Sequence, residues 1–243
     1  IQTTIKIIHT MKHLFSFISV ILLATTVSAQ GIYVYKKTGE VVRMLNSEMD
    51  SIVTFASDFN GHEAVDLGLS VKWASTNLGS EQPEVAGGYY AWGETVAKDE
   101  YTTFNYTWAD LNFPNLVTRG VINKVGNLCE RHDAARQEWG GSWRIPTADE
   151  MLELRRDCKW TWTAVNGKQG YQVEGPNGNT IFLPAAGFNR EDKQVGSGEV
   201  GYYWTSSAYH DYSSAESLYF YNVQVDWYND NRYIGLPIRP VVD

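Results

Sequence analysis

Cysteine and basic residues are scarce in this sequence of 243 residues. It has 2 cysteines, Cys129 and Cys158, and 20 Lys and Arg against 28 Asp and Glu, which gives a formal net charge of −8. Because no Cys-x-x-Cys or Cys/His cluster is present, a zinc site is not expected, and the spacing leaves open one disulfide or two free thiols. The negative charge disfavours nucleic acid and anionic membranes as partners, since both require a concentrated positive surface.

Hydrophobic runs long enough to cross a bilayer, which takes about 20 residues, are also missing. The longest run covers residues 14–25; it follows Lys12 and precedes Val27-Ser28-Ala29, a pattern typical of a secretory signal peptide. We therefore expect residues 1–10 to be upstream-translated residues before Met11, and residues 11–29 to be a signal peptide. The expected product is a secreted or cell-surface protein with no transmembrane segment.

The motifs of common enzyme classes are absent as well. The sequence has no Gly-x-Ser-x-Gly elbow and no phosphate-binding loop. The carboxylates between Glu130 and Asp157 are placed as helix caps and solvated helix faces. We predict that the protein is not an enzyme, with no catalytic residue, no cofactor and no metal ion.

The chain divides by composition into a small N-terminal segment and one larger domain. Residues 30–57 alternate apolar and polar side chains, which predicts a hairpin around Thr38-Gly39 and a further strand over residues 51–55. Residues 58–64 are predicted to be a linker, and a single domain is predicted over residues 65–243. Within it, residues 98–123 are irregular and polar, which predicts a long loop.

Helix caps and β-rich runs indicate an α+β domain. Asp133 is placed to cap a helix that ends at Gly140-Gly141, and Thr147 with Glu150 forms a capping box that opens a second helix. After Lys159, short runs rich in Val, Ile, Thr and aromatic residues predict strands. One of these is predicted over residues 217–225, and residues 176–179 predict a hairpin turn.

Tyrosine is concentrated in the C-terminal region: 8 of the 15 tyrosines lie between Tyr202 and Pro240, and no lysine follows Lys193. In residues 217–225, alternation directs Leu218 and Phe220, with Val223 and Val225, to the core and Tyr219 and Tyr221 outward. Exposed tyrosine offers large contact area at low entropy cost, and nearby Ser and Asn offer adaptable hydrogen bonds. This favours a binding face over tyrosines that merely cover a sheet and an Asn/Asp cluster that is merely a turn. The predicted ligand-binding residues are Tyr209, His210, Asp211, Tyr212, Tyr219, Tyr221, Asn222, Asp226, Trp227, Tyr228, Asn229, Asp230, Asn231 and Tyr233.

A protein and a glycan are both suitable ligands for such residues. Aromatic rings stack on the apolar face of a pyranose, and Asn and Asp bond its hydroxyls. Residues 227–231 therefore form a candidate sugar site. The composition alone does not choose between these two classes.

Several segments, in one order, resemble the Fibrobacter succinogenes major paralogous domain family. They are VDLGLSVKWA, GGYYAWGET, DAARQEWGGSWRIPTADEMLEL, WTWT, GPNGNTIFLPAAG, GYYWTSS and RYIGLPIRPV. The resemblance covers residues 65–243 and implies a C-type lectin-like fold of the formylglycine-generating-enzyme type, with two helices, a sheet that brings the termini together and long loops. The calcium-loop motif of true C-type lectins is only approximated, by EQPEV and WYND, so no calcium is expected.

The same resemblance assigns structural roles to other residues. It implies that Arg239 is a buried anchor of the last strand. It also implies core positions for Trp139, Trp143, Pro146, Trp160 and Trp162.

The layout of the C-terminal region also resembles the variable proteins of diversity-generating retroelements in Bacteroidetes. A Trp-x-Ser-Ser start and an Arg-Pro-Val end enclose Tyr, His, Asp, Ser and Asn, which are separated from an Asn codon by one base or none. The resemblance implies a ligand-binding protein with a diversified face. The alternatives are a glycan-binding adhesin, and a structural or assembly component of a surface structure such as a fimbria, docked through residues 31–55.

Overall fold

The computed structural model describes residues 32–35, 41–44, 60–211 and 213–243, and the chain divides into two units, Ile1–Ala56 and Ser57–Asp243. In the first unit, β1 (Ile32–Tyr35) pairs antiparallel with β2 (Val41–Met44), which confirms the predicted pairing of these two strands. The strand predicted over residues 51–55 and the expected signal peptide lie outside the described residues.

The second unit combines short helices with small antiparallel sheets, which confirms the α+β class. In its described residues there are three α-helices: α1 (Phe113–Thr118), α2 (Ala134–Trp139) and α3 (Ala148–Asp157), with a 3-10 turn at Glu130–His132. The Asp133 side chain accepts the backbone N–H of Arg136 at the start of α2, and the Thr147–Glu150 capping box opens α3. Both caps were predicted. The structure confirms both, and they could be predicted because each cap involves residues within one helical turn.

Helix α1 corrects the prediction of an uninterrupted loop over residues 98–123 and adds a third helix to the two that were expected. The Asn112 side chain accepts the backbone N–H of Asn115, and Pro114 occupies the first turn. Both are helix-start signals, since proline lacks only an N–H that the first turn leaves unpaired. Six residues were too few to give a periodic pattern in a segment this polar.

The strands of the second unit form four antiparallel sheets. Strand β4 lies between β3 and β13, so the first and last strands of this unit share a sheet. The other sheets have the orders β5-β6-β7, β8-β9 and β10-β11-β12, and the last is called here the C-terminal sheet. The strands are β3 (Ala64–Val65), β4 (Lys72–Ala74), β5 (Lys159–Val165), β6 (Lys168–Glu174), β7 (Thr180–Pro184), β8 (Phe188–Arg190), β9 (Lys193–Val195), β10 (Val200–Ala208), β11 (Ser214–Tyr221), β12 (Gln224–Asn231) and β13 (Val241–Val242).

The C-terminal sheet contributes to two hydrophobic clusters. Tyr203, Leu218 and Phe220 lie in one of them with Met151 and Leu154 of α3. On the other face of the sheet, beside the β10–β11 loop, Trp204, Ala208 and Ala215 lie in the second cluster. The sheet is therefore fixed on one face along its length and on the other face at one end only.

Arg239 is confirmed as a buried anchor and has no exposed surface. Its Nε donates to Oδ1 of Asn77 at 2.8 Å, and its Nη1 donates to the carbonyl oxygens of Ala74 and Ser75. Its Nη2 donates to the carbonyl oxygen of Phe182 at 2.7 Å. One guanidinium thus joins the end of β4 and the residues after it to strand β7.

The segment predicted as one strand over residues 217–225 is two strands, with a turn at Asn222-Val223 between β11 and β12. Leu218 and Phe220 are buried as predicted, and Val225 packs against the same cluster, whereas Val223 is 76 % exposed in the turn. The Asn/Asp cluster after Trp227 lies in β12 and is not a turn. The turn at Asn222-Val223 was missed because it contains no glycine or proline and lies inside an apolar run of the sequence.

Three further expectations are settled by packing. His62, in the predicted linker, stacks on Trp139 with ring centroids 3.7 Å apart, so this part of the linker packs against the helix. Trp139, Trp143 and Pro146 are buried as predicted, whereas Trp160 and Trp162 are only partly buried at the edge of the core. The two cysteines are free thiols.

Candidate ligand-binding site

Four tyrosines gather on one face of the C-terminal sheet because of the strand register. Tyr202 of β10 pairs with Tyr219 of β11, and Tyr219 pairs with Asp226 of β12. Paired residues point to the same side of a sheet, and side chains two residues apart do so as well. The outward side therefore carries Tyr202, Tyr219, Tyr221 and Tyr228, which are called here the tyrosine face.

The rings of the tyrosine face touch one another. The centroids of Tyr202 and Tyr219 are 4.7 Å apart, and Tyr228 lies 6.5 and 6.2 Å from them. Tyr221 lies 5.8 Å from Tyr219. Such contacts hold the rings without burying them: Tyr228 stays 53 % exposed.

Polar side chains border the tyrosine face near the β11–β12 turn. The Tyr221 hydroxyl donates to Oε1 of Gln224 at 2.9 Å, and Nε2 of Gln224 donates to Oδ2 of Asp226 at 2.7 Å. Arg155 of α3 pairs with Asp226 at 3.3 Å. The chain of contacts fixes the orientation of the Tyr221 ring.

A groove of about 430 Å³ lies beside the tyrosine face, between the β5–β6 hairpin and the β11–β12 turn. Tyr219, Tyr221 and Asn222 form one side of it. Trp162, Gln169 and Glu199 come from other parts of the chain. This cavity is called here the groove.

Asp230 points to the same side of the sheet as Tyr228, next to the tyrosine face, with 8 % of its surface exposed. Its Oδ2 accepts a hydrogen bond of 2.6 Å from Oγ of Ser217. Burial raises the pKa of Asp230 to about 6, because the Ser217 bond offsets only part of the lost hydration. Burial raises the pKa of Tyr202 as well, and the nearby Asp230 charge adds to the effect.

We expect Asp230→Asn to stabilise the fold at pH 8 by about 1–3 kcal/mol. The pKa of the folded state lies above that of the unfolded state, so stability falls as pH rises from about 4 to about 6, where the buried carboxyl must ionise. The gain from asparagine should therefore fade between pH 6 and pH 4. Urea unfolding at pH 4 and pH 8 measures it. Asp226→Asn is the control, since the Trp227 backbone N–H lowers the pKa of Asp226. An equal gain in stability from Asp230→Asn at both pH values would contradict the prediction.

The 14 residues predicted to bind ligand do not form one site. Tyr219, Tyr221, Asn222, Asp226 and Tyr228 lie together around the tyrosine face and the β11–β12 turn. Tyr209, His210 and Asp211 lie in the β10–β11 loop, at the other end of the eight-residue strand β11 and so about 24 Å from the β11–β12 turn. Tyr212 lies outside the described residues.

The loop residues have local roles. The His210 ring stacks on Phe113 with centroids 4.4 Å apart, and Tyr209 is 41 % exposed. Asp211 accepts the backbone N–H groups of Ser213 and Ser214 and the Ser214 hydroxyl. Asp211 thus shapes the start of β11.

Five predicted residues of β12 and its end do not lie on the tyrosine face. Trp227 pairs with Leu218, so its ring packs against the core, and Asp230 is buried. Tyr233 follows β12 and packs against two clusters of buried residues. Asn229 and Asn231 are exposed, but they share the side of Trp227, because alternate residues of a strand point to opposite faces.

Tyr202, Trp162, Gln169 and Glu199 were not predicted as site residues. Tyr202 was interpreted as framework and Trp162 as core. The pair Tyr202-Tyr203 did carry a signal, because neighbouring residues of a strand face opposite ways: Tyr203 is fully buried and Tyr202 is not. Nothing local in the sequence marks Gln169 or Glu199.

A second depression, of about 350 Å³, includes Glu94, Lys98, Trp108 and Arg131 in its lining. Its charged groups are already paired: Lys98 Nζ lies 2.7 Å from Glu94, and Arg131 Nη2 donates to the carbonyl oxygens of Arg119 and Gly120. This arrangement supports the local loops and leaves little polar chemistry for a ligand.

Among the described residues, no three His, Cys, Asp or Glu side chains are grouped so as to hold a metal ion. No helix of the described part has the length and apolar character to cross a membrane.

Comparisons of the chain with protein families, curated proteins and solved structures find no match.

Proposed function

We propose that this chain is a ligand-binding protein, without enzymatic activity, that holds its ligand on the tyrosine face. The observation that carries the proposal is the gathering of four tyrosines on an exposed surface whose opposite side is core. Tyrosine is enriched in binding surfaces because it offers contact area with few rotatable bonds and carries a hydroxyl that can bond a partner. A groove with exposed polar side chains adjoins this surface.

The proposal extends to fold and location. A C-type lectin-like domain, released outside the cell by a signal peptide over residues 11–29, would present this surface to a protein or glycan at a cell surface. The three helices and small antiparallel sheets are compatible with that fold class.

We expect the triple change Tyr219→Ser, Tyr221→Ser and Tyr228→Ser to weaken ligand binding at least about 100-fold, since aromatic anchors each contribute a factor of ten or more. Binding is measured on an array of glycans and surface proteins, followed by titration of any ligand found. The urea midpoint should move little, because the three rings are not core.

The control is Tyr209→Ser, an exposed tyrosine at the opposite end of the sheet, which should leave affinity unchanged. If the triple variant bound every ligand at the original affinity, the proposal would be wrong.

Diversification of this surface is part of the proposal. Tyr219, Tyr221 and Tyr228 alternate along their strands with Leu218, Phe220 and Trp227, which contact the core. Positions of the first kind tolerate change and those of the second do not. Sequencing should find a near-copy of the segment encoding residues 202–240, differing only at adenines and beside a reverse transcriptase gene; a genome without one would remove this part.

An assembly role is the second candidate, favoured by the β1–β2 hairpin. In the described residues these two strands form a sheet of two, and an unpaired strand edge can accept a strand from a partner. Deleting residues 31–55 should then release the protein from a surface structure such as a fimbria. Unchanged retention at the surface would count against this role.

A further inference from the structure

We infer that the groove binds a neutral glycan. The inference rests on the proposed binding function and names the ligand class. The groove, about 430 Å³, is within the usual size of small-ligand sites. It has room for a few sugar rings, whereas a stable protein interface needs about 800 Å² from each partner.

The two aromatic sides of the groove are held in place by the core. Trp162 packs edge-to-face against Tyr171 at 5.1 Å and against Phe220 at 6.4 Å. The Tyr171 hydroxyl donates to the carbonyl oxygen of Tyr221 at 3.0 Å and so joins the β6 side to the end of β11. Trp162 remains partly exposed, so its indole can stack on the C–H face of a pyranose.

Polar side chains complete the groove. Gln169, Glu199 and Asn222 are exposed, and within the described part of the chain none of them uses its side chain in a hydrogen bond. Amide groups donate and accept, and a carboxylate accepts from two hydroxyls, which suits the adjacent hydroxyls of a sugar. These groups lie beside the aromatic rings, as sugar recognition requires.

Charge selects among glycans. Glu199 is the one charged residue among those that line the groove, and no lysine or arginine lines it. A uronic acid or a sulfated sugar would meet a carboxylate and no cation, so neutral sugars are favoured.

The test is an array that carries neutral oligosaccharides beside uronic and sulfated ones, probed with the full chain. We expect binding to neutral members and none to acidic members. The best neutral oligosaccharide is then titrated by calorimetry. Trp162→Ala should weaken binding at least tenfold, and Gln169→Ala and Asn222→Ala should each weaken it by about two- to tenfold.

Two variants keep the test independent of folding. Gln169 and Asn222 lie outside the core, so a loss of affinity in Gln169→Ala or Asn222→Ala does not result from altered packing of Trp162. Asn229→Ala is the matched control, since Asn229 is an exposed asparagine of the same hairpin on the other side of β12, and it should leave affinity unchanged.

The inference fails if no neutral glycan binds, if acidic glycans bind more tightly, or if Gln169→Ala and Asn222→Ala leave affinity unchanged. Tyr228 lies on the tyrosine face but does not line the groove. A protein ligand lost with Tyr228→Ser and kept by the groove variants would therefore overturn the glycan site and leave the proposed binding function standing. If neither the tyrosine-face variants nor the groove variants lost a ligand, both the glycan site and the proposed binding function would be wrong.

Discussion

Replacing Arg239 by methionine should lower the free energy of unfolding by about 3–5 kcal/mol. Arg239 is fully buried, and its guanidinium donates to Asn77 and to three backbone carbonyls. Methionine fills a similar volume but removes the donor from all four acceptors, three of which are buried, and each buried group left without a donor costs about 1–3 kcal/mol. Burial lowers the pKa of Arg239 to about 10, so the group remains charged at neutral pH.

Urea unfolding with two comparison variants isolates this effect. Arg190→Met alters an exposed arginine on β8 and should change stability by no more than about 0.5 kcal/mol. Arg239→Lys keeps the charge but not the planar fork, so its loss should lie between the other two. If Arg239→Met proved as stable as Arg190→Met, the proposed anchoring role would be wrong.

The second large effect is expected from Phe220→Ala, which should cost about 3–5 kcal/mol. Phe220 is fully buried, with Tyr171 at 5.4 Å and Tyr203 at 5.9 Å between ring centroids. Removing the ring leaves a cavity that these rigid neighbours cannot fill. Trp162 loses a packing partner as well, so affinity at the groove should fall with stability.

Thermal and urea unfolding measure the loss, with Val223→Ala as control. Val223 lies in the turn of the same hairpin and is 76 % exposed, so its change should fall within about 0.5 kcal/mol. A loss below 1 kcal/mol for Phe220→Ala would show that the cluster rearranges around the cavity.

Local features of the fold were predictable from the sequence, and features that depend on distant residues were not. The caps at Asp133 and Thr147 were predictable because donor and acceptor lie within one turn. The inward positions of Leu218 and Phe220 followed from alternation alone. The turn at Asn222 was missed because apolar residues continue on both sides of it.

The candidate site was predicted in part for the same reason. The outward positions of Tyr219 and Tyr221 follow from the period of a strand, but the hydrogen bond from Ser217 to Asp230 depends on the register that pairs β11 with β12. The groove unites Trp162 and Asn222, which come from two different hairpins, with Glu199 of the β9–β10 connection. No spacing along the chain encodes that meeting, since packing between sheets produces it.

The uneven support of the C-terminal sheet makes it a scaffold for engineered binders. Its open side offers six outward positions on three paired strands whose register is already fixed. A combinatorial library at those positions would vary the surface, and of the six only Tyr202 packs against a cluster of core residues. Gly201 must stay constant, because a methyl group there would lie 2.1 Å from the Phe220 ring. The positions to randomise are Tyr202, Tyr219, Tyr221, Gln224, Asp226 and Tyr228.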